Sequence, residues 1–519
     1  MNELMLLLPV GVILGAALVV VLGDLALPHR ERYILPWLAL AGCILGLFAA
    51  GQTAIGDQII WFYPGKRPDT ALYNPIILGG AFCLDGFGMA IWALSCLAGA
   101  LTILSSPPHS EDSVLSSGEY HGLILLSVAG MMLLGVSHDW LTLLISLEIM
   151  SISTYVLAGA NRDDLRSNES ALKYLVLGAF STAFLLMGIA FYYGANGSVS
   201  LQPSEAFRTL PVGEKHLRDW FLLLGMGLVL VGAFFKIGAA PFHFWIPDVY
   251  QGAPTPVTGL MAFGVKAAAF AVIVRLCFEA FGASNLRVMW VPALLGASVL
   301  TMVLGNLMAM RQRNVKRMLA YSAIAHTGYL LLAMVVLPAY PQLAVLNAHS
   351  QSIIFYLVVY GVMTIGAFGV IGLTREDGKP LEDLDDFAGL SKENPGIALC
   401  MALFMLSLAG LPPLGGFFAK FMIFRDAIFE GAGGRYPALI VGAVIGILTS
   451  VASLYYYLKV VVAMYMTPVA GTEGHAEEGA PLAARCHPAW NVNLLIYLAG
   501  IVTLLLGIVP NIVLALMGK

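Results

Sequence analysis

Charge is what this sequence has least of. Of its 519 residues only 11% are Asp, Glu, Lys or Arg, while 59% are hydrophobic. A water-soluble chain of this size carries about 25% charged residues. That shortage excludes a soluble enzyme and a disordered regulator. An excess of positive charge is missing too. Lys and Arg number 27 against 31 Asp and Glu, a net charge of −4, so no basic surface awaits a nucleic acid. Cysteine is sparse: Cys43, Cys83, Cys96, Cys277, Cys400 and Cys486 include no CxxC pair. No iron–sulfur, haem or zinc site is legible in them, and a small, buried apolar role accounts for them. If the chain serves redox chemistry, the electrons travel elsewhere. The N-terminus lacks a basic segment and a cleavage signal, and carries Glu3 instead. Met1–Gly23 therefore reads as a first membrane span and not as a signal peptide.

What the sequence has in abundance is long apolar runs. They fall at about 4–23, 34–51, 77–104, 120–137, 140–160, 169–194, 219–240, 255–281, 288–310, 318–337, 350–373, 395–424, 436–466 and 490–516. Each suits a helix of roughly 20 residues crossing a bilayer. The runs are too long and too uniformly apolar for barrel strands, and only helices or closed barrels satisfy the backbone in lipid. The expected fold is all-α, with about fourteen membrane spans. His138-Asp139 marks a turn inside the stretch from Tyr120 to Ala160. Lys/Arg clusters follow odd-numbered spans: Arg30 and Arg32, Arg162 and Arg166, and Arg311, Arg313, Lys316 and Arg317. By the positive-inside rule that side is cytoplasmic, although Arg208, Lys215 and Arg218 lie on the other. The polar loops Asn196–Asp219, Thr374–Asn394 and Thr467–Pro488 are too short for a catalytic domain. The acidic Thr374–Asn394 reads as a solvated connector or a subunit contact.

Ionisable groups within these runs are expensive and usually functional. Glu148 stands in the fifth run, Lys236 in the seventh, Lys266 in the eighth, His326 in the tenth and Lys420 in the twelfth. Snorkelling to a headgroup suits Lys173, a few residues into its helix, but not lysines with apolar sequence on both sides. His326 reads equally as a satisfied interior histidine or a proton carrier. His243 and His349 lean structural, Asp85 could cap a helix at the interface, and His138 and Asp139 belong to the turn. A proton crossing hydrocarbon needs titratable stops. A desolvated ammonium is destabilised and a nearby carboxylate stabilises it, so an acid–base pair is a natural switch. Helix breakers accompany two of the lysines: Gly238 and Pro241 follow Lys236, while Gly410, Pro412, Pro413, Gly415 and Gly416 precede Lys420. Interrupted helices in corresponding places of two halves point to a translocation site and to inverted repeats. Spans 4–8 and 9–13 would put the two breaks at equivalent positions.

These residues resemble a known family. KIGAAPFHFWIPDVYQGAPTPV (236–257), SLEIMSISTYVLAG with Glu148, RNVKRMLAYSAIAHTGY with His326 and LPPLGGFFAKF with Lys420 resemble the antiporter-like membrane subunits of respiratory complex I. They are most similar to subunit N, called subunit 2 in mitochondria and chloroplasts. The resemblance covers nearly the whole chain. It implies fourteen helices, two inverted five-helix repeats and broken helices 7 and 12. The implied division is 1–110 (helices 1–3), 111–285 (helices 4–8), 286–468 (helices 9–13) and 469–519 (a loop and helix 14). It also implies a proton-transfer relay of Glu148, Lys236, Lys266, His326 and Lys420, with Lys173 as accessory. No cofactor would be bound by this chain. NADH, FMN, iron–sulfur clusters and quinone would belong to partner subunits, and further antiporter-like subunits would be neighbours in a bacterial inner membrane. An M-type subunit usually has Glu where this chain has Lys420. An L-type subunit continues into a lateral helix, whereas this sequence stops at Lys519. Both points favour N. The alternative is a D-like subunit of a multisubunit Na⁺/H⁺ antiporter, and membrane-bound hydrogenases carry such subunits too. The resemblance further implies that a half-channel from the cytoplasm loads Lys236, that Glu148 sets its affinity, and that Lys266 and the His326 region pass the proton to Lys420.

Overall fold

The computed structural model describes residues 3–56, 65–66, 73–74, 76–106, 117–202, 217–282, 284–336, 343–373, 381–434, 436–467 and 489–511. The chain crosses back and forth as fourteen helical spans. They are α1 (Leu8–Ala26), α2 (Leu35–Gly56), α3 (Gly86–Ser105), α4 (Gly118–Val136), α5 (Trp140–Ala158), α6 (Leu165–Asn196), α7 (Leu217–Ile237, then Trp245–Gly252) and α8 (255–280). They continue as α9 (Ser284–Met310), α10 (Val315–Val336), α11 (Leu343–Ile371), α12 (Pro395–Ala409, then Gly415–Ala432), α13 (Ala438–Met466) and α14 (Trp490–Ile508). Among the described residues, 13 helices are long and apolar enough to cross a membrane, and the broken α12 makes the fourteenth crossing. Two small antiparallel β ladders accompany them, Gly65–Lys66 with Tyr73–Asn74 and Ile76–Ile77 with Phe82–Cys83.

One apolar run does not begin as a helix. The stretch from 77 first folds into the second hairpin, turning where Gly79 and Gly80 adopt φ of +67° and +101°. Helix α3 starts only after Asp85, whose carboxylate accepts the Gly88 amide at 2.8 Å. A carboxylate in that position satisfies a donor that the first helical turn leaves open. Asp139 caps α5 in the same way, through the Thr142 amide at 2.7 Å.

The described parts of the loops after α5, α9 and α11 meet on one face. Arg166, after α5, lies 3.5 Å from Glu382, after α11. The Val315 amide donates to the Glu382 carbonyl at 2.7 Å, and the Leu384 amide to the Arg313 carbonyl at 3.0 Å. The described part of the acidic loop is therefore a lid on the chain's own basic loops. Its Asp383 and Asp385 side chains nevertheless remain exposed.

An odd number of crossings inverts whatever follows. Spans α4–α8 begin on this Arg-rich face, so α9–α13 must begin on the opposite one, which is the inverted-repeat arrangement. Helices α8 and α10 are buried along their length, while only about a third or less of α1, α6 and α13 is buried. Leu18, Phe48, Phe180, Leu448 and many other large apolar side chains face outward, the pattern of a lipid-facing surface and the reverse of a soluble protein's.

Candidate functional site: a buried lysine–histidine–tyrosine axis

The two breaks share one construction. Gly238 ends the long limb of α7 at φ +70°, with a cis Ala240–Pro241 bond three residues on; Gly410 ends the first limb of α12 at φ +90°, with a cis Pro412–Pro413 bond at the same offset. A Cβ at 238 would also meet the tip of the Ile246 side chain. Each break frees backbone groups that lipid cannot satisfy. In α7 the Trp245 indole donates to the Phe235 carbonyl at 2.9 Å, the Thr327 hydroxyl to the Ile237 carbonyl at 3.0 Å, and the Ala240 amide to Thr301 Oγ1 at 2.9 Å. In α12 the Lys420 ammonium takes the Leu408 and Ala409 carbonyls at 2.8 and 3.1 Å and Ser450 Oγ at 2.8 Å. A cation there meets the negative end of the first limb's dipole.

The breaks are equivalent, but the lysines are not. Lys236 precedes its glycine by two residues, whereas Lys420 follows its glycine by ten; ten residues after Gly238 stands Asp248. Asp248 accepts from Lys173 Nζ at 2.9 Å and from Arg317 Nη1 at 2.7 Å.

Lys236, Lys266, His326 and Lys420 are exposed by only 6, 3, 2 and 5%. All four sit in the interior, where no headgroup is in reach, so snorkelling does not explain them. Lys236 donates to the Tyr155 hydroxyl at 3.1 Å, and its ammonium lies 5.1 Å from the Tyr155 ring centre and 5.7 Å from that of Tyr174. Tyr174 stacks on Trp245 at 4.5 Å. Glu148 is half-buried and accepts from Thr182 Oγ1 at 2.7 Å. No ion pair joins it to Lys236 among the described residues.

Beyond the α7 break lie further buried polar groups. Thr327, which donates to Ile237, also accepts from Lys266 Nζ at 2.8 Å, and Lys266 reaches the Ala323 carbonyl at 2.6 Å. Beside Thr327 on α10, His326 binds the Tyr356 hydroxyl through Nδ1 at 2.6 Å and the Tyr457 hydroxyl through Nε2 at 3.2 Å. The Tyr360 ring lies 4.8 Å from His326 and 5.5 Å from the Lys266 ammonium. Tyr457 also pairs with Ser322. Asn306 donates to the Tyr329 hydroxyl at 3.2 Å and accepts from Tyr456 at 3.0 Å. The Lys420 ammonium sits 5.2 Å from the Tyr329 ring centre.

Sequence reasoning missed these tyrosines. Their signal was present: Tyr329, Tyr356, Tyr360, Tyr456 and Tyr457 all lie in apolar runs, and a buried phenol needs a partner. Lys173 stands apart from the axis. Its side chain is 40% exposed and pairs with Glu169 at 2.7 Å and Asp248 at 2.9 Å, on the Arg-rich face. Among the described residues no group of three or more His, Cys, Asp or Glu could hold a metal ion.

Comparison with known proteins bears on what such an axis belongs to. Residues 137–448 match the family described as NADH:quinone oxidoreductase/Mrp antiporter, TM. NADH-quinone oxidoreductase subunit N of Trichlorobacter lovleyi is 40% identical over 502 residues, which is 97% of this chain and 93% of that protein. A chain of respiratory complex I from Thermus thermophilus with bound aureothin superposes with a TM-score of 0.74 at 32% identity, over 98% of both chains. A chain of the Mrp complex from Dietzia sp. has a TM-score of 0.76 at 20% identity, over 100% of this chain and 97% of that one, a likeness of fold alone. The chain therefore belongs to the antiporter-like transmembrane family shared by complex I and Mrp complexes, and within it to the relatives of complex I subunit N.

Proposed function

We propose that this chain is the N-type, proton-translocating membrane subunit of a complex I, embedded as a multi-pass protein in a bacterial inner membrane. Its neighbours are the other membrane-arm subunits, further antiporter-like subunits among them. NADH oxidation and quinone reduction, with FMN and iron–sulfur clusters, take place in partner subunits and supply the driving force. This chain contributes the proton route. The regions 1–110, 111–285, 286–468 and 469–519 divide it into leading helices, two repeats and a closing helix.

One observation carries the reading: three buried lysines and a histidine lie among hydroxyls, carbonyls and tyrosine rings between two broken helices, with Thr327 joining the α7 break to Lys266 and the Tyr329 ring beside Lys420. In the proposed route Lys236 takes up a proton under the influence of Glu148. Lys266 and His326 relay it, and Lys420 hands it to the opposite side. Lys173 serves the uptake face.

Two measurements test this. The tagged chain, solubilised in mild detergent from native membranes, should bring with it flavin and iron–sulfur subunits with NADH:quinone activity. Recovery of small membrane subunits only would favour the gradient-driven antiporter instead. Replacing Lys236 by Ala should leave the complex assembled and slow proton transfer through this chain by about 10²–10⁴-fold, the worth of one positioned proton-transfer group. Unchanged pumping per electron would remove Lys236 from the centre of the mechanism.

A further inference from the structure

Helix α8 carries a second ionic cluster that the relay does not use. Nine residues beyond Lys266, Arg275 lies 1% exposed beside Asp85, also 1% exposed. Its guanidinium grips Asp85 with both nitrogens, at 2.7 and 2.8 Å, and donates to the Gly135 carbonyl at 2.8 Å. It also reaches Oε1 of Glu279 at 2.7 Å. The other oxygen of Glu279 faces Nδ1 of His138 at 2.9 Å, with both side chains almost fully covered. Glu279 sits on a wider, π-type turn, Leu276–Ala280, a local form often found at functional sites.

The charges do not balance without a further proton. Two carboxylates face one guanidinium, which leaves one negative charge in a largely covered site. An unpaired charge there is strongly unfavourable. One proton, on His138 or on Glu279, makes the cluster neutral. Asp85 is fully engaged by Arg275 and by its capping bond. Asp139 is held by the Thr142 amide, and the Cys83 thiol lies on the covering hairpin near Asp85. The exchangeable proton therefore belongs between His138 and Glu279. Two buried donors close by, Arg275 Nε and Trp140 Nε1, have no protein partner among the described residues, and such groups ordinarily bind water. The cluster lies at the end of α8 away from the Arg-rich face. There the His138 amide donates to the Ala81 carbonyl at 2.9 Å and its carbonyl accepts from the Leu201 amide at 3.2 Å.

We propose that His138 and Glu279, braced by Arg275 and Asp85, form a proton-exchange site at the end of helix α8 that faces the opposite side of the membrane. On release, the shared N–H···O proton passes to water, its electron pair stays on the imidazole nitrogen, and the cluster becomes singly negative. Uptake reverses this. The link to pumping rests on the proposed function above.

The test uses the whole complex in closed vesicles, with pumping per electron followed against the pH on the side opposite the Arg-rich loops. His138→Gln and Glu279→Gln should each lower pumping and lose its dependence on that pH. His138→Lys restores a cation beside Glu279, so a purely structural cluster would be rescued by it. The exchange site predicts no rescue of the pH dependence, and this variant remains informative if the Gln variants fail to assemble. Rescue by Lys, or an unchanged pH profile in an assembled Gln variant, would overturn the proposal. Lys236→Ala in the same preparation separates the two ideas. A loss there with normal His138 and Glu279 variants overturns only the exchange site, and no loss there overturns the relay.

Discussion

Tyr457 illustrates how much rests on single hydroxyls in this interior. It partners both His326 Nε2 and Ser322. Tyr457→Phe leaves those polar atoms without it, and an unsatisfied buried group costs about 1–3 kcal/mol. The expected result is a lower melting temperature for the assembled complex and slower proton transfer past His326. If neither changes, His326 does not depend on this phenol. Lys420 shows the same economy. It is at once a titratable stop and the donor that satisfies two carbonyls of a broken helix. A substitution there disturbs proton transfer and backbone together, which makes Lys236, held by one phenol, the cleaner test of the relay.

At the level of elements, the breaks in α7 and α12 decide the architecture. Glycine at 238 is required by its left-handed φ, and a Cβ there would also push the tip of Ile246 aside. Left-handed backbone costs about 1–2 kcal/mol for a residue with a Cβ. Gly238→Ala should therefore reduce assembly of the complex, and adding Ile246→Ala should recover the steric part of the loss but not the conformational part. A native gel of solubilised membranes reads both variants. Full recovery in the double variant would show that crowding alone fixes this position. The short limb of α7 is held further by Asp248, which Arg317 of α10 and Lys173 of α6 bind from two sides. Arg317 thus ties the second repeat to the first.

For the whole molecule, burial runs opposite to a soluble protein's logic. Lys236, Lys266, His326 and Lys420 lie buried in an apolar core, while many large aliphatic and aromatic side chains face outward. Leu448, 64% exposed on α13, faces outward near the middle of its helix. Leu448→Arg should cost about 2.5–3.5 kcal/mol for a centrally placed residue, read as reduced membrane insertion of the full chain. Normal insertion would mean that this face meets a polar partner or water rather than lipid.

The sequence alone determined the membrane class, the number of crossings and the deep positions of Lys236, Lys266, His326 and Lys420. Hydrocarbon admits so few backbone solutions that composition and run length decide them, and an ionisable residue in mid-run stands out against its neighbours. The start of α3 was not legible, because a hairpin of apolar residues and a helix of apolar residues read alike until Asp85 caps one of them. Partnerships were not legible either. Glu148 and Lys236 share a repeat without touching, and the tyrosines that join His326 to its surroundings come from α11 and α13, far along the chain. Arg275, Asp85, Glu279 and His138 lie on three separate stretches of sequence and meet only because α3, α8 and the α4–α5 turn end on the same face. Tertiary structure decided these matters, since hydrogen bonds and ion pairs depend on which helix ends and faces come together, and no local pattern encodes that.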